Sequence, residues 1–254
     1  MKQERVYTSP ELLKPFDFGS PTSVARIYDY LLSYGADGLP WYQDVTVLSH
    51  IANVALFAAQ IGTKAKVDVH KVWLMGWLRD IGRVSWGIAA NQKLNDITDK
   101  YGNHGFLGYD FLIRSGVPEE LAVIAMTHIG SGVTAQEVAV INKILGKDVF
   151  PARDWFATTL EEKIVVIADK IPRWENTIIT PYQANQRGEV KGNKIYSWLE
   201  NQTPLWERFW RFKAEVDQAC GGDVLTFFDK GLLVSDPSSY ARMPKPEEIA
   251  GMNY

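Results

Sequence analysis

The chain has 254 residues, 46% of them apolar and 22% charged, with a net charge of -3 and one cysteine. Those values exclude a disordered, collagenous or fibrous protein, and a single Cys220 excludes an internal disulfide framework and the cysteine-rich zinc modules. A pI near 5.9 with no run of five like charges leaves no electrostatic surface for a stable nucleic-acid partner.

The amino terminus, MKQERVYTSPE, lacks the apolar stretch of a secretory signal, and a lone thiol is ordinary in a reducing compartment, so a cytoplasmic protein is expected. The longest apolar runs, such as Leu121 to Met126, are far shorter than the ~20 residues a membrane span needs, so no membrane partner is expected. In chain order, apolar residues recur at helical spacing over 22–35, 44–61, 68–80, 104–115, 118–129, 134–145, 159–172, 192–200 and 204–219. Clean period-two alternation is lacking, which predicts an all-α fold. Thr134 with Glu137, and Thr159 with Glu162, fit the capping box in which a hydroxyl and a carboxylate satisfy first-turn amides. Gly62, Gly82 and Gly146 stand where helix stops are expected. Between Gly82 and His104 the periodicity fades into a polar loop of about twenty residues, of the length that often covers a functional site.

The expected organisation is an N-terminal helical extension over 1–43, a helical core over 44–172 and a C-terminal helical extension over 173–254 packed on that core. The last part holds Trp174, Trp198, Trp206 and Trp210 and a proline-rich tail. Trp206, Trp210 and Phe212 are expected to cover the helical core. Such aromatic layers also close pockets or form subunit interfaces, so a homo-oligomer stays open.

Several helices place polar residues beside an apolar stripe. Residues seven, four and three positions before Asp80 are Trp73, Gly76 and Trp77, which puts the carboxylate on a face with two indoles. It also falls at a helix carboxyl end, where the macrodipole disfavours an anion by about 0.3–1 kcal/mol, so a cation is expected nearby. His128 closes the stripe Leu121, Ile124, Ala125. Asp169 follows Ile164, Val165, Val166, Ile167 and Ala168, apolar on every side, so its carboxylate requires a partner, either a metal or an arginine. His50 lies in an apolar helix and His104 opens another. The plainer alternative for each histidine is a hydrogen-bonded structural residue, and Asp169 alone could pair with Lys170 or Arg173. His70, in a first turn without acidic or histidine neighbours in the pattern, reads as structural.

His50 among small and apolar neighbours, LMGWLRDIGR at 74–83, NHG at 103–105, AVIAMTHIGSG at 122–132 and LEEKIVVIADKI at 160–171 together resemble the HD superfamily of metal-dependent phosphohydrolases, most closely its HDIG-type members. The resemblance covers roughly 44–172 and implies an HD-domain helical bundle, here with an appended C-terminal helical layer. It implies His50, Asp80 and Asp169 as ligands of one divalent ion, with Asp80 bridging to a second held by His104 and His128. Mn, Fe, Co, Zn or Mg suits mixed imidazole and carboxylate ligands, with one or two ions. The implied activity is hydrolysis of a nucleotide or another small phosphorylated metabolite by a metal-activated water.

The doublet that names the family is His-Asp, and here it is Arg79-Asp80. Arginine keeps its proton and has no lone pair for a metal. Either Arg79 replaces the first ion, its donors spanning Asp80 and Asp169 while His104, His128 and Asp80 keep one ion, or it swings away and offers its charge to a substrate phosphate. Arg83 and Lys170 are further candidate phosphate-facing cations, each equally readable as a solvated surface residue. Two other functions stay open: a metal-poor or metal-free binding or regulatory protein with Arg79 in the vacated place, and a di-iron oxygenase, which the lost histidine disfavours.

Overall fold

The computed structural model describes residues 45–84, 104–114, 116–145, 150–170 and 203–226, with residues 248 and 251. The helices expected over 22–35 and 192–200, most of the polar loop, Gly146, Trp174 and Trp198 lie outside them.

Among the described residues the fold is all-helical. The α-helices are α1 (Val45–Ala65), α2 (Val69–Leu78), α3 (Ile81–Val84), α4 (His104–Arg114), α5 (Glu119–Ala122), α6 (Ile124–Thr127), α7 (Ala135–Leu145), α8 (Leu160–Lys170) and α9 (Thr203–Cys220). A 3-10 turn, Val224–Thr226, follows α9. The helix expected over 118–129 is two short ones, α5 and α6, joined through Val123 in the right-handed helical conformation.

Two expected helix stops are corrected. Gly62 lies inside α1, which runs to Ala65, and Gly82 lies inside α3. α1 ends instead at Lys66, with φ of 58°, where Val67 N–H bonds the Gly62 carbonyl at 3.0 Å and Lys66 N–H bonds that of Thr63 at 3.2 Å. This is a Schellman end with lysine in the place glycine usually takes. Both glycines serve close approach: a Cβ on Gly62 would come 2.7 Å from Val72 Cγ2, and one on Gly82 would fall on the His104 carbonyl oxygen. The same constraint brings α1 against α2, because a Cβ on Gly76 would sit 2.6 Å from the Ala55 Cα. The gap in side-chain volume at Gly76 is therefore filled by the α1 backbone.

The capping signals hold. Glu137 N–H bonds Thr134 Oγ1 at 3.2 Å, and the Glu137 carboxylate accepts the Thr134 amide in return. At α8, Glu162 N–H bonds Thr159 Oγ1 at 3.2 Å, but the Glu162 carboxylate reaches one residue further back, to Thr158 N–H at 2.9 Å.

One core cluster joins α1, α2 and α8, with Phe209, Phe212 and Val216 of α9 laid over it; Trp210 packs at its edge. A second gathers Phe106, Met126, Ile129, Val133, Val138, Phe150 and Trp155. Buried Asn142 fixes the chain beside it, donating to the Phe150 carbonyl at 2.7 Å and accepting from the Phe150 amide at 3.1 Å. The polar residues sit on the elements that build both clusters: Ile51, Ile81 and Ala168, next to His50, Asp80 and Asp169, belong to the first, and Ile129, next to His128, to the second.

Candidate metal centre

The five imidazole and carboxyl groups come from five separate stretches: His50 from α1, Asp80 from the α2–α3 junction, His104 from the start of α4, His128 from the end of α6 and Asp169 from the last turn of α8. Two sets of potential ligand atoms form, and Asp80 belongs to both: Asp80, His104 and His128 in one, His50, Asp80 and Asp169 in the other. His70 is in neither.

In the first set, His104 Nε2 is 2.8 Å from Asp80 Oδ1, His128 Nε2 is 3.5 Å from the same oxygen, and the two Nε2 atoms are 3.0 Å apart. Burial is nearly complete, with Asp80 1%, His128 2% and His104 6% exposed. His128 Nδ1 lies 3.0 Å from the Ile124 carbonyl, which only accepts, so Nδ1 carries the proton, and a neutral ring held this way offers the lone pair of Nε2 to the cluster. Ligands ~2.1 Å from one ion lie about 3.0 Å apart at right angles and about 3.4 Å apart in a tetrahedron. The three observed separations bracket those values, so these donors fit a divalent ion of the borderline class.

The second set differs. Arg79 is fully buried and turned inward: its Nε donates to Asp169 Oδ1 at 2.9 Å, its Nη2 is at ion-pair distance, 3.0 Å, from Asp80 Oδ2, and its Nη1 donates to the Gly76 carbonyl. His50 Nε2 stands 3.2 Å from Asp169 Oδ1 and 3.8 Å from Asp80 Oδ2. Burial lowers the His50 pKa from 6.5, aided by the Arg79 charge and opposed by Asp169, which favours a neutral ring. Burial alone would raise the Asp169 pKa, but Lys170, Arg79 and His50 outweigh it and hold that carboxyl well below 3.8. Lys170 pairs with Asp169 and also donates to the His128 carbonyl at 3.2 Å, tying the two halves of the cluster. The side chain of Arg83 lies outside the described residues.

Two supports escaped the sequence reading. The Ile124 carbonyl orients His128 across one helical turn, a relation visible in retrospect as the spacing of four. Gly82, read as a helix stop, lets α3 lie on the His104 backbone.

The chain belongs to the HD domain family, whose pattern matches residues 47–174. It is similar to an uncharacterized protein of Methanocaldococcus jannaschii, 34% identical over 130 residues that make up 49% of this chain and 65% of that one. It is also similar to proteins named tRNA (cytidine(56)-2'-O)-methyltransferase of Thermoplasma volcanium and Picrophilus torridus. The first is 27% identical over 143 residues, 56% of this chain and 34% of that protein. The second is 25% identical over 135 residues, 53% and 34% of the two chains. The chain thus spans less than two thirds of each of these relatives. No solved structure matches. Among the described residues no helix is long and apolar enough to cross a membrane.

Proposed function

We propose that the protein is a metal-dependent phosphohydrolase acting on a nucleotide or another small phosphorylated metabolite. The observation that carries this reading is the buried meeting of Asp80 Oδ1, His104 Nε2 and His128 Nε2 within 3.5 Å of one another. A divalent ion held by those atoms supplies Lewis-acid charge for a phosphate oxygen and acidifies water.

The chain's own groups prepare that chemistry. The Ile124 carbonyl fixes the tautomer of His128, as outer partners of imidazole ligands do. Arg79 and Lys170 hold Asp169, and Arg79 steadies the second oxygen of Asp80. Charge supports a phosphate substrate. Two carboxylates, Asp80 and Asp169, face two cations, Arg79 and Lys170, so the cluster is balanced before any divalent ion enters. Adding one leaves an excess of two positive charges, which a phosphomonoester dianion neutralises. His50, 19% exposed, is the donor set's most accessible imidazole, and burial favours its neutral form, the form a general base must start from.

The test is phosphate release from nucleotides, sugar phosphates and a chromogenic phosphodiester by the full chain supplied with Mn or Co. Loss of a direct ligand should cost at least the roughly 10–100-fold that loss of an outer partner costs, so Asp80→Asn and His128→Ala should fall by that factor or more. A metal-loaded chain that turns over nothing in the panel would replace this reading with that of a binding protein.

A further inference from the structure

Asp80 gives one oxygen to each of two unlike sets. Around Oδ1 stand two imidazole nitrogens, those of His104 and His128. Around Oδ2 and Asp169 Oδ1 stands the Arg79 guanidinium, in ion-pair reach of both oxygens at 3.0 and 2.9 Å, with His50 beside it. Arginine keeps its charge at every physiological pH, and this one has no exposed surface through which to leave. The two sets therefore differ in kind: one presents donors to a cation, and the other already encloses one.

We propose that the centre takes a single divalent ion, on Asp80 Oδ1, His104 and His128, and that Arg79 is a fixed organic cation standing where a second ion would otherwise sit among His50, Asp80 and Asp169. The assignment rests on the metal-dependent reading above but concerns binding, not turnover. Asp80 then joins a metal to a guanidinium instead of two metals. His50, though its side chain points at Asp169, contributes nothing to ion affinity.

The experiment is metal analysis of the full chain saturated with Mn(II) and freed of excess ion, together with the electron paramagnetic resonance spectrum of bound Mn(II). One ion per chain with the six-line spectrum of an isolated Mn(II) is expected; two ions, a spin-coupled pair, or none would overturn the assignment. His128→Ala should lose the ion and His50→Ala should keep it with affinity within about threefold, and the reverse result for either variant overturns it. Arg79→His removes the fixed charge and offers an imidazole, so its stoichiometry should rise to two; a folded variant that still binds one refutes the claim that Arg79 fills the second place. Should that variant fail to fold, the native spectrum and the two alanine variants decide. One bound ion without phosphoester turnover would sink the proposed activity and leave this assignment standing, and two ions with turnover would do the opposite.

Discussion

Arg79 Nε lies 2.9 Å from Asp169 Oδ1, joining residues ninety positions apart through a guanidinium wholly excluded from water. Removing one partner of a buried ion pair strands the other, at roughly 3–5 kcal/mol. Arg79→Met keeps much of the volume and takes the guanidinium from Asp80 Oδ2, while Asp80 Oδ1 keeps His104 at 2.8 Å and Asp169 retains Lys170. Urea unfolding in chelator should therefore show a loss of about 3–5 kcal/mol. A loss below about 1 kcal/mol, the size of a surface pair, would mean that the guanidinium does not neutralise the cluster.

Asp169 makes the same cluster sensitive to acid. Its folded pKa is held well below the ordinary 3.8, with burial opposing and Lys170, Arg79 and His50 prevailing. The sign follows: the stability it contributes is fully present above the unfolded value and is lost as pH falls from there through the lower folded value. One such group gives a slope of up to about 1.4 kcal/mol per pH unit. Chemical unfolding of the chelated protein between pH 5 and pH 2.5 should show this acid limb, and Asp169→Asn should flatten it. An unchanged limb would assign acid sensitivity to other carboxylates.

Much of this was legible in the chain because apolar helix faces leave few options for a polar side chain. Asp169 after five apolar residues, and His128 at the end of a stripe, had to meet something polar, and both do. The direction of Arg79 was not legible. It is decided by α8, which brings Asp169 over the α2–α3 junction, and by the Gly76 carbonyl that accepts from Nη1. No local pattern encodes either. Gly82 was misread for a related reason: sequence shows a missing side chain but not the backbone lying against the gap. The end of α1 was misplaced because Lys66, not a glycine, adopts the left-handed turn.

Ion binding should appear as stability. A ligand at a hundred times its dissociation constant stabilises by about 2.7 kcal/mol. For a chain of 254 residues that corresponds to a rise of roughly 5–10 °C in melting temperature. Chelation should lower the midpoint by that amount and added Mn or Co should restore it. In His104→Ala and His128→Ala the shift should vanish, since each loses an Nε2 from the set around Asp80 Oδ1. A full shift in both variants would place the ion elsewhere.

Gly82 couples packing to the same centre. A Cβ there would collide with the His104 carbonyl oxygen and approach the Gly108 amide nitrogen to 2.6 Å, both backbone atoms that cannot rotate aside. α3 and the first turn of α4 must then separate, and His104, whose Nε2 sits 2.8 Å from Asp80 Oδ1, moves with α4. Gly82→Ala should cost roughly 2–3 kcal/mol, the upper part of the range for overpacking, and also weaken Mn binding about tenfold or more, as displaced ligand supports do. Gly116→Ala separates strain from displacement. Gly116 has φ of 80° but open space around its missing Cβ, so alanine there should cost about 1–2 kcal/mol and leave Mn affinity unchanged. Equal effects of the two substitutions on Mn binding, measured by titration calorimetry, would show that the contact between Gly82 and His104 does not position the imidazole.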